Sequence, residues 1–351
     1  MPRFVPGLEL ARTFYDDEAI APVVRDTDHA AALLGSGSDV LGFDTERSTD
    51  HGWGPRLQLF VERENVATVQ ETIGARLPEE FRGWPTRYGW DDVPVSHHID
   101  VAPLGEWLEG RLGFDPWGGI STRHWLSTPQ QALLELTAGA VFHDPHGELA
   151  AARKALAWYP DDVWLWLLAC QWRRVDQEEP FVGRTAEVGD ELGSRVIAAR
   201  LVRDVMRLAL LLERRYAPYS KWLGSAFAQL DVATVLRPAL LDVLSSQHYE
   251  AREDALVHVV EELAARHNAL RLTPPVDGTV RPFHARPFRV LGSARFVDVC
   301  LDRVTDPRLR SMPLVGAIDQ FVDSTDVLSD SHVFAAIAAA YDRWTTPEDR
   351  P

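Results

Sequence analysis

The spacing of apolar residues changes near Thr128, and this constrains the fold more than any other feature of the chain. Before that point, short alternating runs interleave with helical ones. Leu57-Gln58-Leu59-Phe60-Val61 and Val95-Ser96-His97-His98-Ile99-Asp100-Val101 read as strands, and Val66–Leu77 and Leu104–Leu112 as helices. A first helical stretch runs over Leu8–Leu34, broken near Pro22 and ended by Gly35. Beyond Thr128 the period is helical: Pro129–Val141, Gly147–Tyr159, Val163–Arg174, Leu192–Tyr216, Val232–Ser245 and Arg252–His267. A Pro-rich extended piece follows, and Ser331–Trp344 closes the chain as a helix. The expected class is α+β. A mixed-sheet α/β domain would span residues 1–122 and an all-helical domain 123–270, with segment 271–351 packing on the helical domain.

A length of 351 residues fits two or three domains, and 46% hydrophobic with 25% charged residues is an ordinary globular composition. The formal net charge of −16 repels polyanions, which argues against bulk nucleic acid or an anionic membrane as partner. One small anion in a local basic pocket is compatible with that field. Cys170 and Cys300 lie in apolar runs with no CxxC, as expected of buried free thiols in a reducing compartment. No secretory or membrane-spanning run is visible, so the expected address is the cytoplasm. Lysine is scarce: Lys154 and Lys221 are the only two. Such a residue marks places where a compact ammonium is wanted instead of a guanidinium fork.

The stretch 33–61 carries the chemistry. An apolar pair enters Gly35-Ser36-Gly37-Ser38, a loop follows, and a carboxylate is expected to open the next strand. Glycines let backbone N–H groups approach a phosphate closely, and serine hydroxyls add donors. A carboxylate at the strand edge can then hold Mg²⁺ that bridges phosphate oxygens. This layout resembles the polymerase-beta-like nucleotidyltransferase superfamily, marked by Gly-Ser, a spacer and an Asp-x-Asp pair. Here Gly37-Ser38 is followed after eleven residues by Asp50. Asp100, flanked by Ile99 and Val101, matches the third acid on a neighbouring strand. The second acid of the pair would be residue 52, which is Gly52. Three consequences stay open: Glu46 or Asp44 substitutes, one metal is lost, or only nucleotide binding remains.

A wider resemblance extends to Gly189-Asp190-Glu191-Leu192-Gly193-Ser194-Arg195, Tyr216-Ala217-Pro218-Tyr219-Ser220-Lys221-Trp222-Leu223 and the run Asp319–Asp326. These are similar to an uncharacterised bacterial family with a nucleotidyltransferase-like front half and a helical domain of unknown function, marked by Lys-Trp-Leu/Phe. The residues agree with a site, because Pro218 breaks the long helix and Lys221 begins a new one. Tyr219 and Ser220 would add donors, and Arg203 and Arg207, one turn apart on a helix otherwise read as a solvated face, would add charge.

The expected activity is therefore Mg²⁺-dependent transfer of a nucleoside monophosphate from a nucleoside triphosphate, taken as ATP, to a small-molecule acceptor. Asp50, Asp100 and Lys221 would be catalytic; Asp50, Asp100 and Glu46 would hold the metal; and Gly35, Ser36, Gly37 and Ser38 would grip phosphate. The alternatives are a non-catalytic nucleotide-binding or regulatory module, and a toxin-like enzyme modifying RNA ends. Other polar clusters read structurally. His97 and His98 point to opposite faces of a strand. His143-Asp144-Pro145-His146 is an inter-helix turn, Asp319 and Asp323 serve helix capping and solubility, and Trp164, Trp166 and Trp172 are core.

Overall fold

The computed structural model describes residues 2–16 and 20–345. The chain forms two compact units, and both are discontinuous in sequence. Met1–Ser121, Gln131–Ala157 and Ser329–Ala335 make the first; Thr122–Gln130, Trp158–Leu328 and Ala336–Pro351 make the second. The class is α+β, as the change in periodicity predicts. The boundary expected at residue 122 is crossed again, however, because 131–157 returns to the first unit and brings it a strand.

The first unit contains α1 (Gly7–Asp16), β1 (His29–Leu33), α2 (Ser38–Leu41), β2 (Arg56–Val61) and α3 (Val66–Arg76). These are followed by β3 (Arg87–Trp90), β4 (Val93–Ala102), α4 (Leu104–Leu112), α5 (Gln130–Thr137), β5 (Ala140–His143) and α6 (Glu148–Ala155). One mixed sheet runs in the order β3-β4-β2-β1-β5. The β2–β4 pair is parallel, while β1–β2, β1–β5 and β3–β4 are antiparallel. The stretch Leu8–Leu34, expected to be helical, is instead a helix and a strand. His29-Ala30-Ala31-Ala32-Leu33 has strong helix propensity, but pairing on both sides in mid-sheet outweighs it.

Strand alternation gives the sheet two unlike faces. Ala31, Leu57, Leu59, Val61, Ile99 and Val101 point to one, where Phe14, Val69 and Ile73 from α1 and α3 complete a core. Each fully buried Leu, Ile or Phe there stabilises the unit by about 1.5–3 kcal/mol. The opposite face carries Arg56, Gln58 and Phe60 beside His98, Asp100 and Ala102.

The second unit is helical: α7 (Asp161–Glu187), α8 (Glu191–Leu212), α9 (Ser220–Phe227), α10 (Ala233–Ser245), α11 (Tyr249–Ala269) and α12 (Ala294–Arg303). A tight turn joins α7 to α8. Gly189 adopts the left-handed conformation there (φ 78°), and the Asp190 carboxylate caps α8 by accepting from the Gly193 N–H at 2.8 Å. Trp164, Trp166 and Trp172 are core, as the periodicity predicts. The Trp164 indole donates to the Leu211 carbonyl at 2.9 Å, and the Trp172 indole to His267 Nδ1 at 3.1 Å. Cys170 and Cys300 are buried free thiols. Among the described residues no helix is long and apolar enough to cross a membrane.

Candidate functional site

Past β1 the chain turns through Gly35 (φ 87°) and Gly37 (φ 142°) into the single turn of α2. Only glycine fits at 37, because a Cβ there would lie 2.2 Å from Arg56 Nη2. Arg56, the first residue of β2, donates from Nε to Asp39 Oδ2 (3.0 Å), from Nη2 to Asp39 Oδ1 (2.7 Å), and from Nη2 to the Ser36 carbonyl (2.8 Å). Next along the same face, Gln58 Oε1 accepts from the Leu34 N–H at 2.8 Å. The Gly35 N–H donates to the Glu135 carbonyl at 2.9 Å. The loop is thus fastened from beneath. Among the described residues none accepts from the N–H groups of Ser36, Gly37 or Ser38.

The expected acids are not gathered. Asp50 does not open β2; it ends a 3-10 turn, Glu46–Asp50, and is exposed. The strand waits until Arg56 because Gly52, Gly54 and Pro55 interrupt the extended ladder. Asp50 Oδ1 meets His51 Nδ1 at 2.8 Å, and that hydrogen bond holds the carboxyl below its usual range. Glu46 is exposed at the other end of the turn. Asp44 accepts from the Gly7 N–H at 2.7 Å and so serves the start of α1. Asp100 does lie on a strand, exposed and directly opposite Gln58, and its Oδ2 accepts from the Trp107 indole at 2.8 Å. Among the described residues no group of three or more His, Cys, Asp or Glu side chains is placed to hold a metal ion, so Asp50, Asp100 and Glu46 do not form one.

Gly52 has its own structural reason. Its backbone is left-handed (φ 59°), and a Cβ would stand 3.0 Å from the Trp90 ring, which packs on His98 with centroids 5.1 Å apart. Gly52→Asp should therefore lower stability by about 1–2 kcal/mol from strain and displaced packing. Urea unfolding of both proteins checks this, and an unchanged midpoint would contradict it.

Several residues of this face escaped the sequence reading: Asp39, Arg56, Trp107, Arg111 and Glu135. The alternation Arg56-Leu57-Gln58-Leu59 was the available signal, since it places a cation and an amide on the face opposite the leucines. Burial raises the Glu135 carboxyl above its usual range; Gln131, 2.8 Å away, and the charges of Arg111 and Arg56 oppose that rise.

The remaining expected residues belong to the second unit. Lys221 is the second residue of α9, exposed, with Nζ 4.9 Å from the Trp222 ring centroid. Tyr219 takes the N-cap position and Ser220 begins the helix. Arg203 and Arg207 do not supply free charge as expected. Arg203 Nη1 bonds Asp323 Oδ1 at 2.7 Å, and Arg207, buried, donates to the Asp319 carbonyl. Asp319 is not a solubility residue either: it is buried, and its Oδ2 accepts from Gln130 at 2.8 Å.

A family model described as a domain of unknown function (DUF4037) matches residues 125–223, from the short helix Thr122–Ser127 to the first turn of α9. A nucleotidyltransferase-like protein from Exiguobacterium sibiricum, known from a crystal structure, aligns over 86% of this chain and 91% of its own. The identity is 14% and the TM-score 0.31, a likeness too loose to transfer a function. Comparison with curated proteins finds no match.

Proposed function

We propose that the first unit is a nucleotide-binding module. It would take a nucleoside triphosphate, as its Mg²⁺ complex, against the Gly35–Ser38 loop and the polar sheet face, without transferring it. The observation that carries this reading is the register of β2 on β4, which sets Gln58 beside Asp100 and Arg56 beside His98. Two-metal nucleotidyl transfer needs about three carboxylates around cations roughly 4 Å apart. Asp100 offers one carboxylate, with Oδ2 already engaged by Trp107, and the Gln58 oxygen is occupied by Leu34. That donor set does not fit a resident two-metal centre, and no transfer step to a small-molecule acceptor follows from it.

The same donors suit one Mg²⁺ carried in by a polyphosphate, because such an ion needs only one or two carboxylates beside phosphate oxygens and water. The Ser36, Gly37 and Ser38 N–H groups, with the two hydroxyls, supply anion donors. Asp100 stands two strand spacings, about 10 Å, from β1, a distance a triphosphate chain can bridge. Lys221, Tyr219 and Ser220 lie outside this proposal because they belong to the second unit.

Thermal shift with each of four nucleoside triphosphates, with and without Mg²⁺, tests the reading. At a hundredfold excess over Kd, ligand binding adds about 2.7 kcal/mol. The expected result is a Mg²⁺-dependent rise in Tm that is largely lost in Asp100→Ala and kept in Asp50→Ala, without release of pyrophosphate. A chain indifferent to every nucleotide would overturn the binding site. Pyrophosphate release in the presence of an acceptor would overturn the absence of transfer.

A further inference from the structure

Arg56 is committed to Asp39, which leaves the loop's ligand-facing side without a cation from the sheet. A second guanidinium stands there. Arg111 lies in the last turn of α4, exposed, and forms no ion pair among the described residues. Its position is set by helix geometry. Residues 107 and 111 are one turn apart, so the guanidinium settles on the Trp107 ring, 5.2 Å from the centroid. The same indole holds Asp100 through its N–H. The same guanidinium also reaches the loop, with its carbon 3.7 Å from where a Cβ on Gly35 would be. Arg111 thus spans from the indole that fixes Asp100 to the first glycine of the Gly-Ser loop.

Resting on the nucleotide-binding reading above, we infer that Arg111 clamps the phosphate chain and makes the site selective for nucleoside di- and triphosphates over monophosphates. A guanidinium held over an indole ring by cation–π attraction still has N–H donors to offer, and its fork matches phosphate oxygens. Arg111 needs no induced movement to do so, because the helix and Trp107 already fix its direction. Loss of the fork weakens each added phosphate while leaving base and ribose contacts alone.

The test is calorimetric binding of AMP, ADP and ATP, with Mg²⁺, to the full chain carrying Arg111, Arg111→Gln or Arg111→Lys. Arg111→Gln should weaken ADP and ATP about 10–100-fold and leave AMP nearly unchanged. Arg111→Lys should recover part of the loss, and the unliganded Tm of both variants should match wild type because the side chain is exposed. ATP affinity untouched by Arg111→Gln, or an equal loss for AMP and ATP, overturns the clamp while the nucleotide-binding reading stands. If wild type binds none of the three, the clamp and that reading fall together.

Discussion

Raising the pH from 6.5 to 8 should cost the protein about 1 kcal/mol of stability, and Glu179→Gln should abolish that loss. Glu179 sits inside α7 with Oε1 accepting from the Leu291 N–H at 2.6 Å and Oε2 buried without a hydrogen-bond partner among the described residues. Burial pushes its carboxyl up to about 8. The folded chain therefore keeps a proton that the unfolded chain has released above its ordinary value near 4.5. Stability from this group is full below the unfolded value and disappears as pH rises through the folded one. His267 acts in the opposite sense. Burial lowers its imidazole to about 4, so folded His267 stays neutral, accepting from the Trp172 indole, while unfolded His267 takes a proton below 6.5. Its contribution is lost as pH falls. Between about 4.5 and 6.5 the slopes of these two groups, roughly 1.4 kcal/mol per pH unit each, cancel, and above that the Glu179 slope is the one of the pair that remains. Urea titrations across this range, followed by tryptophan fluorescence, should show a plateau and then an alkaline decline. A wild-type curve that stays flat to pH 8.5, or a decline retained in Glu179→Gln, would refute this assignment.

Arg56→Met should destabilise the first unit by about 3–5 kcal/mol, the cost of leaving a buried carboxylate without its cation. Asp39 is 8% exposed, and among the described residues it accepts, besides Arg56, only from its neighbour Val40 N–H at 3.0 Å. The Ser36 carbonyl would lose its guanidinium donor as well. Arg56→Lys keeps the charge but not the fork, so its loss should fall between wild type and Arg56→Met. Because the damage is an unpaired charge, Asp39→Asn added to Arg56→Met should recover much of it. A double-mutant cycle in urea measures the coupling, and simple additivity of the two single changes would contradict the ion-pair account.

Some helices were legible nearly end to end, because one face of each is buried and the period is unbroken, whereas Val163–Arg174 covers only the first half of α7 (Asp161–Glu187) and α12 was not read. Leu104–Leu112 is α4, Val66–Leu77 is α3 with one residue more, and Ser331–Trp344 lies within the helix Ser331–Thr345. The strands β2 and β4 were legible from alternation. Strands β1 and β5 were not. The run β1 is alanine-rich, so its local propensity points to helix, and β5 is only four residues long at the end of a helical period; the extended form of each depends on its partner strand. The Gly35–Ser38 loop and Asp100 were readable as separate features. What joins them was hidden: Asp39 and Arg56 are brought together by the turn between β1 and β2, and Trp107 and Arg111 by the return of α4 over the sheet. Arg203 and Arg207 looked like surface cations because nothing local reveals that the segment Asp319–Asp323 meets them.

The late arrival of β5 has a consequence for biosynthesis. As the chain leaves the ribosome, β1 can zip to β2 at once, but its other edge stays open until a segment far downstream has emerged. During that interval the nascent sheet exposes a bare row of amide and carbonyl groups, an invitation to pair with the wrong chain. Translation stalled or truncated near the change of texture would freeze that vulnerable form. Expression of residues 1–128 alone should therefore yield aggregates where the uninterrupted chain does not.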